Sequence, residues 1–292
     1  MTKELPQIPF STKSSEISGV EIISLQDINE RKADFDHSPE IAHQIKFYKL
    51  VLYTNGQSEH LVDFVWHKVQ KNTLIYLSKG QVNAYKFNPN LTGYVILFTE
   101  EYFKKQLSRL PKETIIRLFT SHLFSPKIQI PKNSNINGYI SLLFEEFYKE
   151  KDAFNKGNII DYLFNIIFSK LEQLKKHQTF HVKETEKLEI FLKFKTLLEI
   201  HYKQSRNADF YAKKLHITYK HLNTISKEIV NSTVKRFIDE FIVLEAKRQL
   251  INSTIKSTEL AFLMGFEESS NFVKYFKKHT ELTPNSFKKQ QI

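Results

Sequence analysis

One spacing of apolar residues occurs twice near the end of this chain, over residues 207–227 and again over 257–278, and it leaves few folds open. In the first copy Asn207 can cap a helix in which Ala208, Tyr211, Ala212 and Leu215 recur at i, i+3, i+4 and i+7, a stripe that must be buried. His216-Ile217 forms the turn, and Thr218 caps a second helix with Leu222 and Ile225 facing inward. Its outward set is Tyr219, Lys220, His221, Asn223, Thr224 and Lys227. The second copy repeats the scheme with Ser257, Leu260, Ala261 and Met264, a Gly265-Phe266 turn, and Phe272 and Phe276 inward. Gly265 suits a sharp reversal between helices because it adopts positive φ at no steric cost. The outward set there is Glu268, Ser269, Ser270, Asn271, Val273, Lys274 and Lys277. Residues 233–251 between the copies read as one long helix with Phe237, Phe241, Leu244 and Leu250 on its inner side. Two helix-turn-helix units on a stiff connector have the geometry to reach successive turns of a DNA major groove.

Charge distribution agrees with that reading. The chain has 292 residues and a formal net charge of +11. Residues 1–186 carry 24 Lys and Arg against 21 Asp and Glu, whereas residues 187–292 carry 19 against 11. A basic excess confined to one part is what a polyanion-binding module needs, since Lys and Arg displace condensed counterions from phosphates. On charge alone, a solvated Lys-rich surface is the simpler explanation.

Composition excludes several classes. There is no cysteine, so disulfides, Cys-containing zinc sites and thiol nucleophiles are absent. The polar, Pro-punctuated start has no secretory pattern, and no apolar run approaches the ~20 residues of a membrane helix. The expectation is therefore a cytoplasmic protein without a membrane partner. No Gly-rich phosphate cradle, paired-carboxylate motif or nucleophile elbow stands out, so an enzyme is not expected.

The first part of the chain reads differently. Residues 1–19 form a loose arm, and short β-branched and aromatic runs follow at 47–53 and 60–66 around Asn55-Gly56, which suits a tight hairpin. Further strands are expected at 73–77, 82–87 and 93–98, the pattern of a small antiparallel barrel or sandwich. Thr99 can then cap a helix opening with Glu100 and Glu101, and longer helices are expected at about 135–151 and 158–177. Their wide apolar faces suit packing on both the barrel and a partner, and an intramolecular core alone explains them equally well. The organisation expected is an arm at 1–19, a β-rich domain at 20–176, a polar linker at 177–186 and an all-helical domain at 187–292.

The C-terminal residues resemble the AraC/XylS family of bacterial transcription regulators. The run Ala261-Phe262-Leu263-Met264-Gly265-Phe266, then Asn271-Phe272, Tyr275-Phe276-Lys277-Lys278 and Thr283-Pro284-Asn285-Ser286-Phe287, stands in register with the family signature. Glu245-Ala246-Lys247-Arg248 and Leu250 are similar to its linker helix, and the N-terminal half is similar to its cupin-like sensor and dimerisation domains. The resemblance implies an α+β chain: an N-terminal cupin-like barrel with packed helices, then an all-α domain of two helix-turn-helix units. It implies a homodimer, double-stranded promoter DNA and RNA polymerase as partners, a small-molecule effector, and no cofactor. It places Lys220, His221, Asn223, Thr224 and Lys227 toward one groove segment, and Ser269, Ser270, Asn271, Lys274 and Lys277 toward the next. Four positions depart from the family: His216 and Asn231 stand where Gly is usual, Ser226 where a buried Phe is usual, and Ser257 where an aliphatic residue is usual. The second unit is accordingly expected to dominate sequence preference.

The barrel interior, lined by Tyr48, Leu50, Leu52, Phe64, Trp66 and Tyr85, is the expected effector pocket. A filled core is the simpler content of each position. His37, His43, His60 and His67 with Asp63 do not follow a His-x-His-and-Glu spacing, and on one continuous strand His60 and His67 would face opposite ways, so no metal site is expected. The competing class is a cupin-type small-molecule carrier or enzyme whose basic tail only localises it. An architectural DNA binder without regulation is a third.

Overall fold

The structure is a computed structural model that describes residues 6–11, 17–31, 38–107, 125–149, 154–178, 185–252 and 255–291. It divides into two compact units, Pro6–Thr179 and Phe180–Ile292. The first contains β1 (Gln7–Ile8), β2 (Val20–Ser24), α1 (Leu25–Glu30), β3 (His43–Ile45), β4 (Tyr48–Asn55), β5 (Gln57–Val62), β6 (Val65–Gln70), β7 (Thr73–Leu77), β8 (Val82–Tyr85), β9 (Thr92–Phe98), α2 (Glu100–Leu107), β10 (Lys127–Gln129), α3 (Ile136–Phe147) and α4 (Lys156–Gln178). The second contains α5 (Thr185–His201), α6 (Ala208–Lys214), α7 (Tyr219–Val230), α8 (Val234–Asn252), α9 (Ser257–Leu263), α10 (Ser269–Thr280) and α11 (Pro284–Gln291). The chain is thus α+β, with a β-rich first unit and an all-helical second one. Among the described residues no helix is long and apolar enough to cross a membrane.

Among the described residues ten strands form two five-stranded sheets, ordered β1-β3-β8-β5-β6 and β10-β7-β4-β9-β2, rather than one continuously bonded barrel. Every pair is antiparallel except β1 with β3. One apolar cluster lies between the sheets, drawing Ile45, Val62 and Tyr85 from one and Val51, Tyr53, Ile75 and Val95 from the other. The opposite face of the second sheet carries Leu50, Leu52, Leu74, Tyr76, Ile96 and Phe98 against α2, α3 and α4. That sheet is buried on both faces, which is why β4, β7 and β9 read as nearly unbroken apolar runs. Phe98 sits at the centre of the helical layer, edge-on to Phe164 at 5.1 Å, and Phe164 stacks on Phe168 at 4.4 Å.

The local devices foreseen at the start of the helical layer are present: the Thr99 hydroxyl accepts from the Tyr102 amide at 3.1 Å, with Glu100 and Glu101 in the first turn of α2. Three expectations need correction. Asn55-Gly56 does not close a hairpin; Gly56 is at φ +83°, but β4 and β5 enter different sheets, so the turn is a corner. A Cβ on Gly56 would lie 2.7 Å from the Asn90 carbonyl oxygen, so the corner is also sterically closed to other residues. The run 60–66 is not one strand: Asp63 and Phe64 both take positive φ and fold β5 back on β6, which makes His60 and His67 direct cross-strand partners. Asp63 is held there by its carboxylate, which accepts from Gln81 Nε2 at 2.6 Å and from the Val82 amide at 3.2 Å. The third concerns the arm, part of which is engaged, since Gln7–Ile8 adds a parallel strand to the edge of β3 and Phe10 packs on Phe47. Residues 1–5 and 12–16 of that arm, His37, and residues 179–184 of the expected linker lie outside the described residues. Helix α4 continues through Gln178, so the first two residues of that linker are helical.

Phe164 is fully buried beneath three aromatic neighbours, and Phe164→Ala is expected to lower stability by about 3–5 kcal/mol, read from urea unfolding followed at 222 nm. A loss under 1 kcal/mol would show that this layer is not the core of the first unit.

Candidate nucleic-acid interface

The turns of the two helix-turn-helix units are closed by the same hydrogen bonds, while side-chain caps occur only in the first. In the first, the Asn207 side chain accepts from the Asp209 amide at 3.0 Å, and α6 buries Ala208, Tyr211 and Ala212. The chain then reverses with His216 N donating to Lys213 O at 3.0 Å and Ile217 N to Ala212 O at 3.1 Å. The second turn repeats this, Gly265 N to Phe262 O at 3.0 Å and Phe266 N to Ala261 O at 3.0 Å. His216 has φ 56° and Gly265 φ 76°, so both turns require a left-handed residue.

The reason one turn holds His and the other Gly is contact, not dihedral angle. A Cβ on Gly265 would lie 1.7 Å from the Lys203 carbonyl oxygen, a distance no substitution can relieve without moving backbone. His216 is exposed, and its side chain leaves toward solvent. The other departures are also accommodated. Asn231 ends α7 in the left-handed region at φ 51°, which Asn tolerates, and its counterpart Glu281 ends α10 at φ 62°. Ser226 is fully buried and donates to the Ser232 carbonyl at 2.7 Å, so the polar group is satisfied where the family has a ring. Ser257 is half-buried as the first residue of α9.

The connector α8 joins the two units. Phe237 packs on Phe191 and Phe194 of α5 at 5.2 and 5.7 Å, and Phe194 packs on Tyr211 at 5.6 Å, forming the first core. Phe266, Phe272, Phe276 and Phe287 form the second. Two side chains that the spacing did not single out bind the units together. Arg206 donates to the Gly265 carbonyl at 3.0 Å and lies over the Phe266 ring at 3.9 Å. Asp239 of α8 accepts from the Tyr275 hydroxyl at 2.7 Å and from Lys235, with His279 at 3.9 Å. Burial first, then the bond to Asp239, raises the Tyr275 phenol far above its ordinary range, so it stays a donor at any physiological pH. Neither residue belongs to an apolar stripe or to the register signature, although their partners Gly265, Phe266 and Tyr275 do.

Lys220, His221, Thr224 and Lys227 are exposed on α7, and Ser270, Asn271, Lys274 and Lys277 are exposed on α10, while Ser269 is half-buried. Asn223 is half-buried and spends its side-chain carbonyl on the Val234 amide at 3.1 Å, where it caps the connector. Thr224 donates back to the Lys220 carbonyl at 3.0 Å, and Ser270 donates to Glu268 at 3.1 Å. Lys227 and Lys277 stand in the last turns of α7 and α10, where a cation complements the helix dipole. Each unit therefore offers one helix with a polar, cation-bearing outer face and an apolar inner face.

In the first unit of the chain, the six residues expected to line one pocket do not share a space. Tyr48 stacks on Phe98 at 5.5 Å, and Leu50 and Leu52 lie in the same helix-facing layer. Tyr85 faces between the sheets, Phe64 is half-buried in the β5–β6 turn, and Trp66 is exposed beneath Lys86. The inward residues of β4 are Lys49, Val51 and Tyr53, one position out of phase with the expected set. His60 and His43 are buried and joined through Asn83, and burial holds the His60 imidazole down at about 3 despite that bond. Burial, with Lys127 nearby, also lowers His67.

Residues 211–290 match the family model described as a helix-turn-helix domain. The chain is similar to an uncharacterised HTH-type transcriptional regulator in the cgkA 5′ region of Pseudoalteromonas carrageenovora, 32% identical over 92 residues, covering 32% of this chain and 54% of the relative. It is also similar to the probable transcription factor PqrA of Proteus vulgaris, 29% identical over 68 residues, covering 23% and 56%. The chain thus spans about half the length of these curated relatives. Among solved structures it is similar to ToxT from Vibrio cholerae, with a TM-score of 0.47 and 14% identity over 94% of this chain and 98% of that one. A transcriptional regulator with an AraC-type DNA-binding domain from Chromobacterium violaceum gives a TM-score of 0.33 and 15% identity over 37% and 96%.

Gly265→Ala should destabilise the C-terminal unit strongly, by more than the ~1 kcal/mol of an ordinary left-handed Gly-to-Ala exchange, whereas His216→Gly should be nearly neutral. Thermal unfolding of both variants checks this. Equal effects would remove the contact explanation.

Proposed function

We propose that the protein is a sequence-specific DNA-binding transcription regulator of the AraC type, a reading supported by the match of residues 211–290 to a helix-turn-helix domain. Its two units read adjacent major-groove segments, about 34 Å apart along one face of the duplex. The observation that carries this reading is the pair of identically bonded turns, each followed by a helix with an exposed polar face, the second turn held by Arg206 and the second helix held to the connector by Asp239. In the first groove Lys220, His221, Thr224 and Lys227 contact bases or phosphates, and in the second Ser270, Asn271, Lys274 and Lys277 do so. Asn can pair bidentately with adenine, and Lys can donate to guanine or phosphate. The second unit supplies most of the sequence preference, because Asn271 is exposed while the Asn223 carbonyl is occupied by the connector.

We assign residues 20–176 to a sensor and dimerisation domain, 177–186 to a linker and 187–292 to the DNA-binding domain, with RNA polymerase as the partner at the promoter. A small effector acting through the first domain alters DNA affinity only if it binds the two states of the protein unequally. Homodimerisation is supported by an exposed apolar stripe on α4: Ile159, Tyr162 and Ile166, at i, i+3 and i+7, are 37%, 61% and 40% exposed. A stripe of that kind on a helix otherwise packed in the core is a natural seam for a second copy.

Anisotropy titrations with a duplex from the protein's own upstream region and a random duplex, at two salt concentrations, test the DNA reading. The preference for the upstream duplex should persist as salt rises; equal loss on both duplexes indicates a nonspecific basic surface instead. Lys274→Ala and Asn271→Ala should each cost about 1–3 kcal/mol on the preferred duplex, and more than Lys220→Ala or His221→Ala. The reverse order would make the first unit the main reader. Tyr162→Glu should convert dimer to monomer in sedimentation velocity, and an unchanged dimer would move the seam elsewhere.

A further inference from the structure

Asn223 of α7 is committed at one end of its side-chain amide and free at the other. That amide lies 3.1 Å from the Val234 backbone N–H at the start of α8, which can only donate, so the contacting atom is Oδ1. The remaining atom, Nδ2, makes no hydrogen bond among the described residues and is not one of their buried unpaired atoms, so it opens on solvent. An unconstrained Asn can turn its amide end for end and present a donor or an acceptor as a partner requires. Asn223 cannot do so without giving up the Val234 bond, and it therefore presents two N–H groups and no acceptor.

Its neighbours on the helix are donors too. Lys220 and Lys227, at i−3 and i+4, flank it on the exposed surface of α7. Thr224 spends its hydroxyl proton on the Lys220 carbonyl at 3.0 Å and retains only lone pairs and a methyl group for a partner. The second unit differs. Asn271 is exposed on α10 and its side chain has no hydrogen-bond partner among the described residues, so both ends of that amide remain available. Capping α8 does not by itself call for an amide at position 223. An Asp there would accept the same Val234 N–H and place a negative charge at the positive end of the helix dipole. What Asp lacks is the N–H pair, so Nδ2 is the part of Asn223 that the cap leaves unexplained.

We propose that Asn223 is a donor-only specificity residue, which selects guanine in the groove segment under α7 through N7 and O6, the two adjacent acceptors on that base edge. The proposal rests on the reading of the C-terminal unit as a sequence-specific DNA binder, and it names the base chemistry at one position. Adenine sets an acceptor beside its N6 donor and needs both ends of an amide; Asn271 has both to offer and Asn223 has one. Cytosine turns a donor toward Nδ2, and thymine a single acceptor beside a methyl group. The two units thus differ in which base they select, not only in how strongly.

Selection of binding sites by the full chain from a randomised duplex pool, followed by anisotropy titration of the selected duplex and its single-base variants, tests it. At one position the wild type should require guanine: 7-deazaguanine, which lacks N7, or an A·T pair, which lacks O6, should weaken binding about two- to tenfold, the worth of one hydrogen bond. Asn223→Asp keeps an acceptor for the Val234 amide and has no donor. Its charge weakens binding to every duplex alike, so the readout is the ratio between duplexes. In that variant the guanine preference at this position should vanish, and in Asn271→Ala it should persist. If circular dichroism shows that Asn223→Asp does not fold, the neutral Asn223→Ala supplies the same ratio. A residue that only caps α8 would lower stability and overall affinity and leave every base preference intact, which overturns the proposal. So does a lost preference that belongs to an adenine N6 amino group, read with purine in place of adenine. Either result leaves the regulator standing, whereas a pool that converges on no sequence overturns both readings.

Discussion

Backbone meets backbone where Gly265 lies under the Lys203 carbonyl, and the geometry of the whole C-terminal unit follows from that approach. Because no side chain intervenes, the turn of the second helix-turn-helix unit is seated directly on the segment that leads into the first. Arg206 closes the contact from the side, bonding the Gly265 carbonyl and covering Phe266. Asp239 holds Tyr275 of α10 to the connector. The rotation of α10 relative to α7 is therefore set at three points, and α8 carries both the Phe237 ring of the first aromatic core and, two residues on, the Asp239 bond to the second unit.

How legible this was depended on whether the signal was local. The caps at Asn207 and Thr218, the left-handed Gly265 and Asn231, and the buried stripes all follow from residues within one or two turns of each other. So did β7 and the Thr99-capped helix. What failed was partner choice. A positive φ at Gly56 serves a hairpin and a corner equally, and only the destination of the following strand distinguishes them. The turn at Asp63-Phe64 was hidden because Phe rarely adopts positive φ. The phase of β4 was hidden for another reason: both faces are buried, so Leu50 and Leu52 cannot be told from Val51 and Tyr53 by alternation, and the cue was the odd residue, Lys49.

Arg206 and Asp239 were illegible because they act across long sequence separations, through a backbone carbonyl and a phenol, and neither leaves a periodic mark. The outer faces of α7 and α10 carry the opposite lesson. Their exposed residues could be listed from the sequence, but Asn223 looked like its neighbours until its carbonyl was found on the connector.

That Asn223 bond joins a position beside the exposed polar face of α7 to the first free amide of α8. The Val234 amide proton is consequently sheltered by a side chain of α7 rather than by its own helix. Its exchange with solvent is an internal gauge of how firmly that helix is seated, readable by NMR one residue at a time and without any DNA present. The chain carries in one hydrogen bond a reporter of the order of its first helix-turn-helix unit.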